Sequence, residues 1–116
     1  MKWTKCDFGS IEVGGIEYNR DVILDRGEIN KRKKKASRIF RDQFGHTPLS
    51  LEEKIPWKCK RLVIGTGMYG RLPVMKDVLD EAKRRGIEII QCPTPKAVQL
   101  LNKAVANTNA IVHVTC

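Results

Sequence analysis

The chain has no apolar run near the roughly 18 residues that a membrane-spanning helix needs, and its first ten residues are too polar for a secretory signal. A membrane protein is excluded on that pattern, and a cytoplasmic location is expected. The four cysteines, Cys6, Cys59, Cys92 and Cys116, contain no C-x-x-C. Their spacing supplies neither a zinc framework nor a dense disulfide scaffold, and reduced thiols are expected. Cys92, just ahead of a predicted helix start, is the best candidate for a reactive thiol. Histidine is scarce: His46 falls in a loop and His113 in a strand. With no two-histidine helix pattern and no acidic cluster, neither a metal nor a cofactor is expected. Aromatics make up 6% of the chain, and only Phe40 lies within its most basic stretch. That is thin for a base-stacking surface. No G-K-[ST] occurs, which removes a Walker-type nucleotide loop.

What the chain does have is charge in one place. Its 116 residues, read as one domain over 1–116, hold 22 Lys and Arg against 13 Asp and Glu, for a net +9. Residues 31–41 contain Lys31, Arg32, Lys33, Lys34, Lys35, Arg38 and Arg41 and no anion. Without those seven cations the net charge falls from +9 to +2. Such a run is either a solvated loop or edge or a surface for a polyanion, nucleic acid included.

The first third reads as short strands. Ser10–Val13 and Ile16–Tyr18 alternate around Gly14-Gly15 as a hairpin. Val22–Leu24 is a further strand ended by the turn Asp25-Arg26-Gly27, and a strand near Ser37–Phe40 is expected within the basic stretch. Ser50 and Glu53 form a capping-box pattern that predicts a short helix ended by Pro56. The second half changes character. Arg61–Ile64, Ile87–Ile90 and Ala110–Val114 read as strands. Between the first two, Val74, Met75, Val78, Leu79 and Ala82 share a helical face, entered by Pro73 and closed by Gly86. Between the last two, Thr94 and Pro95 start a helix as cap and first turn, with Ala97, Val98, Leu101, Ala104 and Val105 on one face. The order is β-α-β-α-β behind a β-rich front, an α/β class.

Gly65-Thr66-Gly67-Met68-Tyr69-Gly70 is G-x-G-x-x-G between a strand and a helix. Free amides at a helix start favour an anion. Both β-α turns of such a unit emerge on one sheet edge, so Gly65, Thr66, Gly67, Tyr69 and Gly70 would meet Thr94 and Lys96 around one pocket. A dinucleotide is disfavoured, because the acidic residue expected at the end of the second strand is replaced by Gln91-Cys92 and only half of the paired fold is present. Glycines that merely let strand, turn and helix pack are the other reading, as is an ordinary helix cap for Thr94.

Leu62-Val63-Ile64-Gly65-Thr66-Gly67, then Gly86-Ile87-Glu88, then Thr94-x-x-Ala97-x-x-x-x-Asn102 resemble the Mth-type domain family. That family includes the adipogenesis-associated Mth domain-containing protein and is related to a mitochondrial complex I assembly factor. The resemblance runs from Phe8-Gly9-Ser10-Ile11 to the last strand, and the ending His113-Val114-Thr115-Cys116 is similar to that of archaeal members. It implies a three-layer α/β fold with a mixed central sheet and a pocket beside the G-T-G loop, to which Asn102 is assigned. It implies no reaction, since the family has no established enzymatic activity. Eukaryotic relatives are linked to adipogenesis and respiratory complex assembly, which implies partner binding; the Lys31–Lys35 run departs from them.

The leading expectation is a non-catalytic binding module whose glycine-loop pocket takes a small anionic ligand or a protein partner's segment. On that reading a bulky residue at Gly67 abolishes binding and leaves the fold intact. The alternatives are nucleic-acid binding through 31–41 and a thiol-dependent enzyme using Cys92 or His113.

Overall fold

The computed structural model describes residues 1–103 and 106–116. β1 (Trp3–Asp7), β2 (Ser10–Val13) and β3 (Ile16–Tyr18) form a three-stranded antiparallel sheet. A second sheet has the order β5-β4-β8-β6-β7, built from β4 (Val22–Asp25), β5 (Glu28–Lys31), β6 (Arg61–Thr66), β7 (Glu88–Cys92) and β8 (Thr108–His113). β6 pairs in parallel with β7 and β8, while β4 pairs antiparallel with β5 and β8, so the central sheet is mixed. α2 (Lys76–Arg84) and α3 (Thr94–Leu101) are the crossovers expected between parallel strands.

Alternation along the central strands sorts the core into two halves. Val63 of β6 and Ala110 and Val112 of β8 face α3 and the small sheet, meeting Trp3, Ile11, Val13, Ala97, Val98 and Leu101. Leu62, Ile64 and Ile111 face the opposite way, onto α2 and the segment around Leu49 and Ile55. The result is three layers with the mixed sheet in the middle. Ala104 and Val105, the end of the expected apolar face of α3, lie outside the described residues.

Two expectations fail, for one shared reason. Lys34–Phe40 is a 3₁₀ helix rather than a strand, followed by the single turn α1 (Arg41–Phe44). Residues 50–53 form a turn, not a helix. Both segments bend so that Ser37, Ser50 and Glu53 point inward: the Ser37 and Ser50 hydroxyls lie 2.6 Å apart, and Ser37 donates to Glu53 Oε2 at 2.6 Å. Glu53 is thereby unavailable to cap a helix, and only its backbone N–H reaches Ser50, at the carbonyl oxygen. α3 also starts one residue earlier than expected, with Pro93 as its cap. Among the described residues, no helix is long and apolar enough to cross a membrane.

Candidate functional site

The two β-α turns do meet on one sheet edge. Gly67 N–H donates to Thr94 Oγ1 at 2.9 Å, and Thr94 N–H donates to the Gly67 carbonyl at 2.9 Å. Thr94 Oγ1 in turn donates to the His113 carbonyl at 2.5 Å. The hydroxyl that was expected to cap a helix or face an anion is fully buried and knits three elements together.

The space between these turns is occupied by the chain itself. Met68 N–H donates to the Thr115 carbonyl, and the amides of Tyr69 and Arg71 both donate to the Cys116 carbonyl. Gly70 N–H closes back on Gly67. The loop amides that would have cradled an anion are therefore spent within the chain, those of Met68, Tyr69 and Arg71 on the segment 115–116. Gly67, at φ +105, approaches that segment so closely that a Cβ would stand 2.3 Å from the Cys116 carbonyl carbon. The expectation that a bulky residue at 67 removes binding and leaves the fold is corrected: it strikes backbone. Gly65 is a packing glycine, its Cβ position 2.9 Å from Thr94 Oγ1. Thr66 is buried in β6, whereas Tyr69 is exposed against Phe8, ring centroids 6.0 Å apart. Lys96 is exposed on α3, and Asn102 directly follows α3, its amide exchanging two 2.8 Å bonds with the backbone of Trp3 in β1. Neither reaches a common pocket with the loop.

A cavity of about 320 Å³ opens beside segment 115–116 instead. Lys34 and Arg38 from the 3₁₀ helix, Arg41 from α1 and Arg71 from the glycine loop line it, together with His46, His113, Thr115 and Cys116. No carboxylate side chain contributes to its wall. Among the described residues none of these four cations forms an ion pair, although the chain has several elsewhere. A second cavity of about 570 Å³ shares Lys34, Arg38 and Thr115 with the first and continues past Arg20, Lys31, Lys33 and Lys35. The basic stretch is thus an ordered wall.

Arg32 is the exception within that stretch. It is 3% exposed, donating from Nε and Nη2 to the Glu53 carboxylate at 2.8 and 2.9 Å and from Nη1 to Asp21 Oδ2 at 2.8 Å. Burial would lower its pKa, but the two carboxylates outweigh that and raise it. Its assignment to a basic surface is corrected: its charge is internal, because the fork finds two buried carboxylates.

Asp21 is the residue that sequence reasoning missed. It accepts from Arg32, from Val114 N–H at 2.9 Å and from the His113 ring at 2.7 Å. Burial alone would push its carboxyl up, yet these donors hold it at about 2, below the ordinary 3.8. An aspartate ahead of a short strand carries no local sign of a histidine 92 positions away. The alternation of His113 and Thr115 onto one face was the only legible clue. Cys92 fares differently: burial raises its thiol pKa, with Lys96 pulling weakly the other way, opposite to what a nucleophilic thiol requires. Among the described residues no group of His, Cys, Asp and Glu is arranged to hold a metal.

Comparison with known proteins agrees with this architecture. A conserved hypothetical protein, PH1505 of Pyrococcus horikoshii, is 28% identical over the whole of both chains with a TM-score of 0.82. The solved protein MT938 is 25% identical over 99% of this chain and 98% of its own, TM-score 0.73. A Mth938-like domain from Bordetella pertussis, 13% identical over 97% of this chain and 85% of its own, shares the fold with a TM-score of 0.59. Among curated proteins none matches. Residues 3–114 match the family described as "Protein of unknown function (DUF498/DUF598)", and the chain belongs to that family, the Mth938-like domains, as the G-T-G loop and its spaced threonine suggested.

Proposed function

We propose that this protein is an anion-binding module that takes a phosphate-sized group in the cavity beside segment 115–116. One observation carries the reading: four cations from three parts of the chain, the 3₁₀ helix, α1 and the end of the glycine loop, converge on about 320 Å³ with no acidic side chain among them. Holding like charges together is unfavourable, and a bound anion relieves it. The glycine loop serves this site indirectly, by fixing segment 115–116 and presenting Arg71. Free thiols suit a reducing compartment, so the reading carries a cytoplasmic location with it.

The test is a titration of the protein with inorganic phosphate, pyrophosphate and a short RNA, followed by amide NMR shifts at low and high salt. The expected result is shifts at Arg38, Arg41, Arg71 and Thr115 with phosphate. Arg71→Gln should weaken phosphate binding roughly tenfold, about 1.4 kcal/mol. Unchanged affinity in a combined Arg38→Gln and Arg71→Gln protein would sink the reading. The continuation of the cationic wall into the second cavity supports a nucleic-acid strand as the second reading. It predicts shifts spreading to Lys31, Lys33 and Lys35 with RNA alone and a steep loss with salt. Silence with all three probes points to a protein partner.

A further inference from the structure

The wall of the cationic cavity carries a hydroxyl, an imidazole and, behind them, a carboxylate. His113 is 6% exposed. Its Nδ1 lies 2.7 Å from Asp21 Oδ2 and its Nε2 3.1 Å from Thr115 Oγ1. The proton positions follow from Asp21, whose carboxylate also accepts Arg32 Nη1 and Val114 N–H and is ionised. A carboxylate only accepts, so Nδ1 carries the ring hydrogen and donates it. In the neutral ring Nε2 is then a lone pair, and the Thr115 hydroxyl is its donor. Carboxylate, imidazole and hydroxyl thus stand in the order that activates a hydroxyl nucleophile.

The charges behind the ring favour the same step. Arg32 faces two carboxylates, Asp21 and Glu53, so that buried group carries one net negative charge. A proton arriving on His113 neutralises it. Acyl transfer is disfavoured, because the nearest loop amides, those of Met68, Tyr69 and Arg71, are already bonded to the backbone of 115–116 and cannot form an oxyanion hole. Phosphoryl transfer needs cations around the equatorial oxygens instead. Lys34, Arg38, Arg41 and Arg71 line the cavity onto which Thr115 opens.

We propose that Thr115 is the nucleophile of a phosphoryl-transfer site whose substrate is a small phosphate anhydride or ester. The proposal rests on the anion-binding reading and adds chemistry to it. The Thr115 oxygen forms a bond to phosphorus while its proton passes to His113 Nε2. The bond from phosphorus to the leaving oxygen breaks, and that oxygen takes the electron pair. An alkoxide leaving group takes the proton held on His113, whereas a carboxylate departs without one and His113 releases that proton to solvent, so in either case Nε2 is again a lone pair. Water then attacks the phosphothreonine with His113 accepting its proton, and the same proton returns to the Thr115 oxygen as phosphate departs. Asp21 touches no substrate; it positions the ring and fixes its tautomer.

The test is incubation of the full chain with acetyl phosphate and, separately, p-nitrophenyl phosphate, one anhydride and one ester. Intact mass and peptide mapping follow the protein, and phosphate binding is measured by NMR in parallel. One phosphoryl group on Thr115, or phosphate release that depends on it, is the expected result from at least one donor. Thr115→Val should lose the transfer, Thr115→Ser should keep it, and His113→Gln should slow transfer about a hundredfold or more while remaining folded by thermal melting. If phosphate binds and neither donor labels Thr115 or is turned over, the nucleophile is overturned and the anion site stands. Equal turnover by wild type and Thr115→Val overturns it likewise. If phosphate fails to bind, both readings fall together.

Discussion

The glycine loop and the basic stretch exchange roles between sequence and structure. The loop carries the recognisable motif, G-x-G-x-x-G between strand and helix, and its amides turn out to hold the chain's own residues 115–116. The basic stretch looks like a solvated run, and it folds into a 3₁₀ helix that walls a cavity. A motif records what backbone conformation a segment can adopt. It does not record whether the ligand that fits that conformation is a free anion or another part of the same molecule. A charge run records only that its residues need water, counterions or partners, and tertiary structure assigns one of the three to each residue.

The largest contrast lies within the basic stretch itself. Arg32→Met leaves Asp21 and Glu53 buried without their cation, and unfolding in urea should show a loss of about 3–5 kcal/mol. Lys33→Gln, on an exposed neighbour, should move stability by no more than about 0.5 kcal/mol. Equal effects would return Arg32 to the surface.

The loop divides in the same way. Gly67→Ala combines a left-handed φ with a clash against the Cys116 backbone, and should cost about 3 kcal/mol. Gly14→Ala, also at positive φ but with open space around its Cβ position, should cost about 1 kcal/mol. Matching losses, measured by chemical denaturation, would show that conformation alone governs Gly67.

A smaller effect separates the Asp21 cluster from the exposed cations. Asp21 titrates at about 2 in the fold against an ordinary 3.8. A depressed folded value means its contribution is complete above about pH 4 and is lost as the pH falls toward 2. The contribution is roughly 2 kcal/mol. Asp21→Asn, compared with wild type across that window, should flatten the corresponding part of the stability curve. A curve of unchanged slope in the variant would remove Asp21 from the acid response.

Much of the fold was legible because its signals are local. The alternation of Ser10–Val13 and Ile16–Tyr18 around Gly14-Gly15 became β2 and β3 in the register expected of a tight hairpin. The apolar spacing of Val78 and Ala82 became the buried face of α2, with Gly86 ending it at φ +70. The capping box at Ser50 and Glu53 misled for the opposite reason. A pattern of residue types predicts a cap only if both side chains stay local, and here Arg32 and Ser37 draw Glu53 into the interior.

The order β-α-β-α-β behind a β-rich front, the tight turns and the place of the charge follow from residues a few positions apart, so local patterns carry them. The meeting of Asp21 with His113, the burial of one arginine among seven clustered cations and the packing of residues 115–116 against the glycine loop arise only once the chain has folded. Those contacts join segments dozens of residues apart. They are selected by how the sheet brings its edges together and by the cost of leaving buried charges and amides without partners, and no local pattern of residue types carries that information.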